Sequence, residues 1–125
     1  MTGNAHGKIC YLVLPAESAE ESAAFYTAIF EWTTRRHGDG TLAFDDPLGG
    51  VSGMWVTGRP PASNPGLEVH IMVRSAAGTE AAIVAAGGTI VQPADPGQGE
   101  IWGLFRDPYG NQLGYYEDRS LAGRE

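Results

Sequence analysis

The sequence is short of cysteine and of basic residues. Cys10 is its single cysteine, so the chain cannot close an internal disulfide, which suits a reducing cytoplasm. Its 8 lysines and arginines stand against 15 aspartates and glutamates, giving a formal charge of -7. Because nucleic-acid phosphates attract basic surfaces, this balance disfavours nucleic acid and permits a cationic ligand. We therefore expect a cytoplasmic protein that binds no nucleic acid.

Long hydrophobic runs are also missing. No stretch approaches the ~18 apolar residues of a membrane-spanning helix, and the opening MTGNAHGK has no apolar segment typical of a secretion signal. Hydrophobic residues make up 42% of the chain and charged residues 18%, which is typical of a soluble globular protein. We expect residues 1–125 to form one domain with no membrane partner.

Two segments of the chain are similar to each other. DPYGNQLGYY spans Asp107–Tyr116, and DPLGGVSGMW spans Asp46–Trp55. Aspartate, proline and two glycines recur in the same columns, and a phenylalanine stands two residues before each aspartate. The Asp-Pro-x-Gly order suits a type I turn. The similarity predicts an internal duplication.

The elements around these turns repeat in the same order. In the first module, the capping-box pair Ser18 and Glu21 predicts a helix over 19–30. β-rich segments predict strands at 8–14, 41–46 and 51–57, with a further strand near TTRRHG. In the second module, strands are predicted at 67–73, 89–93, 101–107 and 111–117. Its Ala-rich helix begins at Ser75 or Thr79 and ends at Gly87.

The chain therefore has the order β-α-β-β-β twice. We place module 1 at about 8–57, a Pro-rich linker at 58–66 and module 2 at about 67–118.

This order, with FYTAIFEW in the first helix and FRDPYGNQLG near the end, resembles the vicinal oxygen chelate superfamily. That superfamily includes glyoxalases, bleomycin resistance proteins and extradiol dioxygenases. The resemblance covers about Ile9 to Glu117. It implies an α+β fold in which two tandem βαβββ modules form a curved mixed sheet, a half-barrel cup. It also implies a homodimer.

Metal-dependent members of the superfamily take four ligands from the first and last strands of the two modules. The resemblance maps these columns onto Tyr11, Gly53, Glu68 and Gly114, with His70 nearby on the same strand face. A neutral tyrosine is a poor ligand and glycine offers no side chain. We therefore expect no family-type divalent metal and no other cofactor.

The same cup could hold a flat or apolar organic molecule, because two glycines remove bulk and aromatic residues remain. Strand alternation predicts the ligand-binding residues Tyr11, Val13, Gly53, Trp55, Glu68, His70, Gln112, Gly114 and Tyr116. Trp102 is included because its position in the chain places it near the mouth of the cup, with the direction of its side chain left open. The same alternation adds Val51 and Met72 to that face. Each of these residues also has an ordinary structural interpretation, in core packing, sheet curvature or surface ion pairs.

Three functions remain open at this point. The first is a small-molecule-binding protein for an antibiotic or metabolite. The second is an enzyme of the superfamily (lyase, isomerase, epimerase or dioxygenase), either metal-dependent or with Glu68 or His70 as general base and Tyr11 as hydrogen-bond donor. The third is a regulatory or partner-binding module whose cup is filled by its own side chains.

Overall fold

A computed structural model describes residues 5–121 as an α+β fold of two tandem βαβββ modules, each with an unclosed, curved, four-stranded mixed sheet. This confirms the predicted fold class. The chain divides into two compact units between Pro60 and Pro61, within the predicted linker. Neither helix in this part of the chain is long and apolar enough to cross a membrane.

Unit 1 contains the first module. Its elements are β1 (Tyr11–Pro15), α1 (Ala19–Phe30), β2 (Thr33–Arg36), β3 (Leu42–Asp45) and β4 (Ser52–Val56). The sheet order is β1-β4-β3-β2. β1 pairs with β4 in parallel, and the other neighbours are antiparallel. The strand predicted near TTRRHG is therefore β2.

Unit 2 repeats this arrangement. Its elements are β5 (His70–Val73), α2 (Ala76–Ala85), β6 (Thr89–Gln92), β7 (Trp102–Arg106) and β8 (Gln112–Glu117), followed by the short 3-10 helix Arg119–Leu121. The sheet order is β5-β8-β7-β6, with β5 and β8 parallel. The first strand of each module starts later than predicted. The residue register with β4 starts at Tyr11, and the register with β8 starts at His70.

The helix α1 has the predicted bounds, and a capping residue ends it on each side. The Ser18 hydroxyl accepts a hydrogen bond from the Glu21 backbone N–H at 3.2 Å. Glu31, in the left-handed region at φ 64°, ends the helix. One face of α1 packs Tyr26 against the sheet, where the Tyr26 and Trp32 rings stack at 4.8 Å and Trp32 stacks on Phe44 at 4.4 Å. These rings form the aromatic core of unit 1.

The helix α2 begins after Ser75, whose hydroxyl accepts from the Gly78 N–H at 3.0 Å, so Ser75 and not Thr79 is the N-cap. Gly87, at φ 97°, follows its C-terminal end as predicted. Glu80 on α2 accepts hydrogen bonds from the Tyr115 hydroxyl and from the Ala94 N–H. Burial and the neighbouring Glu80 carboxylate raise the pKa of the Tyr115 hydroxyl, which stays a proton donor. Glu80 thus links α2 to β8 and to the loop after β6.

The second Asp-Pro-x-Gly turn is hydrogen-bonded to Ala62, in the middle of the linker. Asp107 Oδ1 accepts from the backbone N–H groups of Tyr109, Gly110 and Asn111. Asn111 donates to Asp107 Oδ2 at 2.9 Å and accepts from the Ala62 N–H at 2.8 Å. Gln112 N–H donates to the Ala62 carbonyl at 2.8 Å. Asp107 and Asn111 are buried, so the hydrogen bonds between these two residues are shielded from water.

Candidate functional site

In unit 2, alternation along the strands separates a helix-facing side from an open face. Leu113 and Tyr115 are buried towards α2, where Tyr115 reaches Glu80. The residues of β8 that alternate with these two point to the opposite side of the sheet. We call this opposite side the open face of unit 2; it carries His70, Met72, Trp102, Leu104, Gln112, Gly114 and Tyr116.

Four predicted site residues come together on this face. His70 Nε2 and Glu68 Oε1 are 3.1 Å apart, within hydrogen-bonding distance. The imidazole of His70 meets the Trp102 ring edge-on, with ring centroids 5.6 Å apart. A Cβ added at Gly114 would lie 2.7 Å from the same imidazole. Gly114 therefore provides the space that the His70 ring occupies.

Tyr116 and Gln112 lie on the same face of β8 and extend this cluster in both directions. Tyr116 is the cross-strand neighbour of Trp102, and its hydroxyl donates to the Glu100 carboxylate at 3.2 Å. The hydrogen bond to Glu100 and the charge of that carboxylate raise the pKa of Tyr116. A cavity of about 180 Å³ lies beside Tyr116, lined by Gly99, Glu100, Ile101, Tyr116, Glu117, Asp118 and Arg119. Sequence reasoning missed Glu100, because a loop glutamate carries no periodic signal.

In unit 1, the predicted positions of Gly53 and Trp55 on the ligand face are wrong. Trp55 is 3% exposed and packs against Phe44, with ring centroids 4.8 Å apart, and against Tyr26 on α1. Gly53 is buried on the same side, where an added Cβ would overlap the Phe44 ring and the Leu12 carbonyl. Their neighbours Ser52 and Met54 alternate to the opposite face.

An extra residue in the first turn explains this error. Asp46 N–H donates to the carbonyl of Val51, whereas Asp107 N–H donates to the carbonyl of Asn111, one residue closer. Since side chains alternate with a period of 2, one inserted residue reverses the face of every later residue in the strand. The assignment of Val51 to the ligand face rested on the same ungapped alignment.

The strand register identifies the true counterpart of Gly114. Met54 pairs with Ala43 on β3, just as Gly114 pairs with Leu104 on β7. Met54 therefore replaces Gly53 as the module 1 residue equivalent to Gly114.

The open face of unit 1, the side of its sheet away from α1, carries the other two candidates. Tyr11 is 47% exposed and Val13 is 39% exposed, both on β1. A polar cluster that the sequence did not indicate lies on the same sheet. Arg35 donates to both carboxylate oxygens of Asp45, at 2.7 and 3.0 Å, and the Ser52 hydroxyl donates to Asp45 at 2.6 Å.

The two hydrogen bonds from Arg35 and the one from Ser52 lower the pKa of Asp45 to about 2. Because the folded value lies below the ordinary 3.8, ionised Asp45 stabilises the fold above pH 4, and this contribution is lost as the pH falls towards 2. Allowing for the exposure of Arg35, we expect Asp45→Asn to cost about 1–2 kcal/mol at pH 7.

Urea unfolding of both proteins between pH 7 and pH 2 checks this expectation. The difference in free energy of unfolding should shrink below pH 4, whereas the exposed control Glu17→Gln should show little difference at pH 7. A constant difference between Asp45→Asn and the native protein down to pH 2 would refute the assignment.

The residues in the four family columns do not fit a four-ligand metal site. With the register taken into account, the columns hold Tyr11, Met54, Glu68 and Gly114. A phenol and a thioether are poor ligands for the divalent ions of this superfamily, and Gly114 has no side chain. Within residues 5–121, no three His, Cys, Asp or Glu side chains are grouped closely enough to hold a metal ion. This donor chemistry suits hydrogen bonding and stacking.

Tandem βαβββ modules are the fold of glyoxalase-like proteins, and sequence comparison gives the same family. The profile of the glyoxalase-like domain family matches residues 11–114. The chain belongs to this family and thus to the vicinal oxygen chelate superfamily. None of the curated protein sequences matches the chain.

Solved structures show the same fold at low sequence identity. A genomically encoded fosfomycin resistance protein from Listeria monocytogenes superposes with a TM-score of 0.74 at 16% identity, over 91% of this chain and 93% of the other. A glyoxalase/bleomycin resistance protein from Albidiferax ferrireducens gives 0.70 at 18% identity, over 88% and 98%. A glyoxalase/bleomycin resistance protein/dioxygenase family enzyme from Burkholderia phytofirmans gives 0.72 at 13% identity, over 89% and 98%.

Proposed function

We propose that this protein binds a small organic molecule on the open face of unit 2, without a family-type metal ion. The observation that carries the proposal is the cluster in which the His70 imidazole contacts Trp102, covers Gly114 and is hydrogen-bonded to Glu68. Aromatic surface beside a few oriented polar groups is the usual composition of a small-molecule site.

The position of each residue on the open face of unit 2 gives its role in the proposed site. Trp102 and Tyr116 are cross-strand neighbours on β7 and β8, so their rings offer adjoining apolar surface for a flat ligand. Gln112 lies two residues before Gly114 on the same face, and its amide can both donate and accept. Glu68 is 51% exposed at its side chain and can orient a polar group of the ligand.

The names of two solved relatives, a fosfomycin resistance protein and a glyoxalase/bleomycin resistance protein, support an antibiotic or a metabolite as the ligand class to screen first.

A screen of such compounds by thermal shift and by NMR of ¹⁵N-labelled protein tests the proposal. We expect hits to move the Trp102 indole and His70 signals. We expect Trp102→Ala to weaken the binding of these hits at least about fivefold, since a base-sized aromatic contact contributes about 1–3 kcal/mol. Leu48→Ala, at a side chain 96% exposed, is the matched control and should leave affinity unchanged. Hits that bind Trp102→Ala as tightly as the native protein would refute the site.

A second function, an enzyme using Glu68 and His70 as a proton-transfer pair, is favoured by their 3.1 Å hydrogen bond. A carboxylate that orients an imidazole is a common arrangement for a general base. Any ligand found in the screen should therefore also be incubated and assayed for consumption. Turnover that survives both Glu68→Gln and His70→Phe would exclude this pair as the base.

Pairing of two copies is proposed from the family alone, because small proteins of this superfamily often dimerise. Light scattering should then give twice the chain mass of 13.2 kDa, and a single chain mass would contradict it. The cytoplasmic location and the absence of a cofactor stay predictions.

A further inference from the structure

We infer that His70 presents Nδ1 as a metal-independent hydrogen-bond acceptor, so that the ligand is a planar molecule bearing an O–H or N–H donor. This inference deepens the proposed function and rests on it. Its basis is the joint placement of Glu68, His70, Trp102 and Gly114 on one sheet face.

Gly114 is the first element of the argument. His70 and Gly114 are direct neighbours on the parallel strands β5 and β8. A Cβ at position 114 would lie 2.7 Å from both Cε1 and Nδ1 of the imidazole and 2.8 Å from Nε2, closer than real Cβ contacts allow. The imidazole therefore fills the space where any larger side chain at position 114 would begin. A ring, and not a second carboxylate, now occupies this part of the family site.

Glu68 sets the proton positions on that ring. An ionised carboxylate only accepts hydrogen bonds, so the nitrogen facing it must carry the proton. His70 Nε2 donates to Glu68 Oε1 at 3.1 Å, which leaves Nδ1 of the neutral ring with a lone pair. Within residues 5–121, Nδ1 has no hydrogen-bond partner.

Trp102 packs against the His70 imidazole and restricts the shape of a ligand that can bind beside it. The two rings meet at 62° with centroids 5.6 Å apart, so the indole leaves a flat surface next to the imidazole. A planar ligand lying on this surface can direct a donor at Nδ1. Phenols and N–H heteroaromatic rings combine these two features.

The test uses phenol and anisole, which share a ring and differ in the O–H donor. Both are titrated into ¹⁵N-labelled protein while the Trp102 indole and His70 signals are followed. We expect phenol to bind about fivefold more tightly than anisole, the effect of one net hydrogen bond. His70→Phe keeps a ring at position 70 and removes the acceptor, so it should reduce this preference to about one.

A second variant tests the role of Gly114. Gly114→Ala should displace the His70 ring, remove its contact with Trp102 and abolish the preference for phenol, while the global fold persists because a side chain can move. Gly66→Ala is the matched control, since in the described part of the chain no atom beyond its chain neighbours lies within 4 Å of a Cβ there. It should leave both the His70 signals and the preference intact.

The outcomes separate the two levels of the proposal. Equal binding of phenol and anisole at Trp102 would overturn the inference about Nδ1 and leave the proposed function standing. A native His70 whose ring nitrogen shifts show a proton on Nδ1 would overturn it as well. If neither fragment moves the Trp102 or His70 signals, the proposed function fails and the inference fails with it.

Discussion

Replacing Asn111 by alanine should lower the unfolding temperature by roughly 10 °C. The side chain is 1% exposed and joins the Asp107 turn to the linker residue Ala62 by two hydrogen bonds. Truncation removes both, so the part-buried Ala62 N–H loses its acceptor and the buried Asp107 carboxylate loses one donor, a loss of about 3 kcal/mol. For a domain of this size, each kcal/mol corresponds to about 4 °C.

Gln98→Ala is the matched control, because it truncates an exposed amide whose side chain donates a hydrogen bond of 3.2 Å to Asp95. Differential scanning calorimetry of the two variants gives the comparison. Equal melting temperatures for Asn111→Ala and Gln98→Ala would show that the turn does not fix the linker in the way described.

Gly53→Ala should destabilise unit 1 by about 3 kcal/mol or more. Gly53 lies on the central strand β4 between Leu12 on β1 and Phe44 on β3. The added methyl would overlap the Leu12 backbone carbonyl and the Phe44 ring, neither of which can move without disturbing the sheet. Urea unfolding measures the loss.

The matched control is Gly38→Ala in the same unit, where no atom of residues 5–121 lies within 4 Å of an added Cβ, neighbours along the chain aside. It should change the free energy of unfolding by less than about 0.5 kcal/mol. This comparison also tests which face Gly53 occupies. A methyl pointing to the open face would be tolerated, so a Gly53→Ala variant as stable as Gly38→Ala would contradict the corrected assignment.

Local chemistry in the sequence was enough to predict most of the fold. The Ser18 and Glu21 pair located the start of α1, and the residue order β-α-β-β-β located the two modules. Such features depend on neighbours along the chain, so no tertiary information is needed to recognise them. The family marks in the first helix and the last turn supplied the topology of the sheets.

The face of each strand could not be predicted as well, because it depends on register. For β8 the alternation was counted correctly from the turn, and Gln112, Gly114 and Tyr116 share one face with Trp102 and His70. For β4 the same count failed, since Gly50 lengthens the first turn by one residue. The duplication alone does not reveal such a gap.

Partners distant in sequence were also beyond sequence reasoning. The Arg35–Asp45 ion pair joins two strands, and the Tyr116 hydroxyl donates a hydrogen bond to Glu100 on a loop. The reason for Gly114 became clear only when the structure placed the His70 ring over it. A glycine in a strand has several explanations until its neighbours on the next strand are known.

The most direct test of the central claim is a crystal structure of the protein soaked with the tightest organic hit and with a divalent metal salt. We predict density for the organic molecule against Trp102 and His70, with the imidazole still lying over Gly114 and bonded to Glu68. A metal ion held by Glu68, His70 and at least one further protein atom, with no organic molecule on this face, would contradict it.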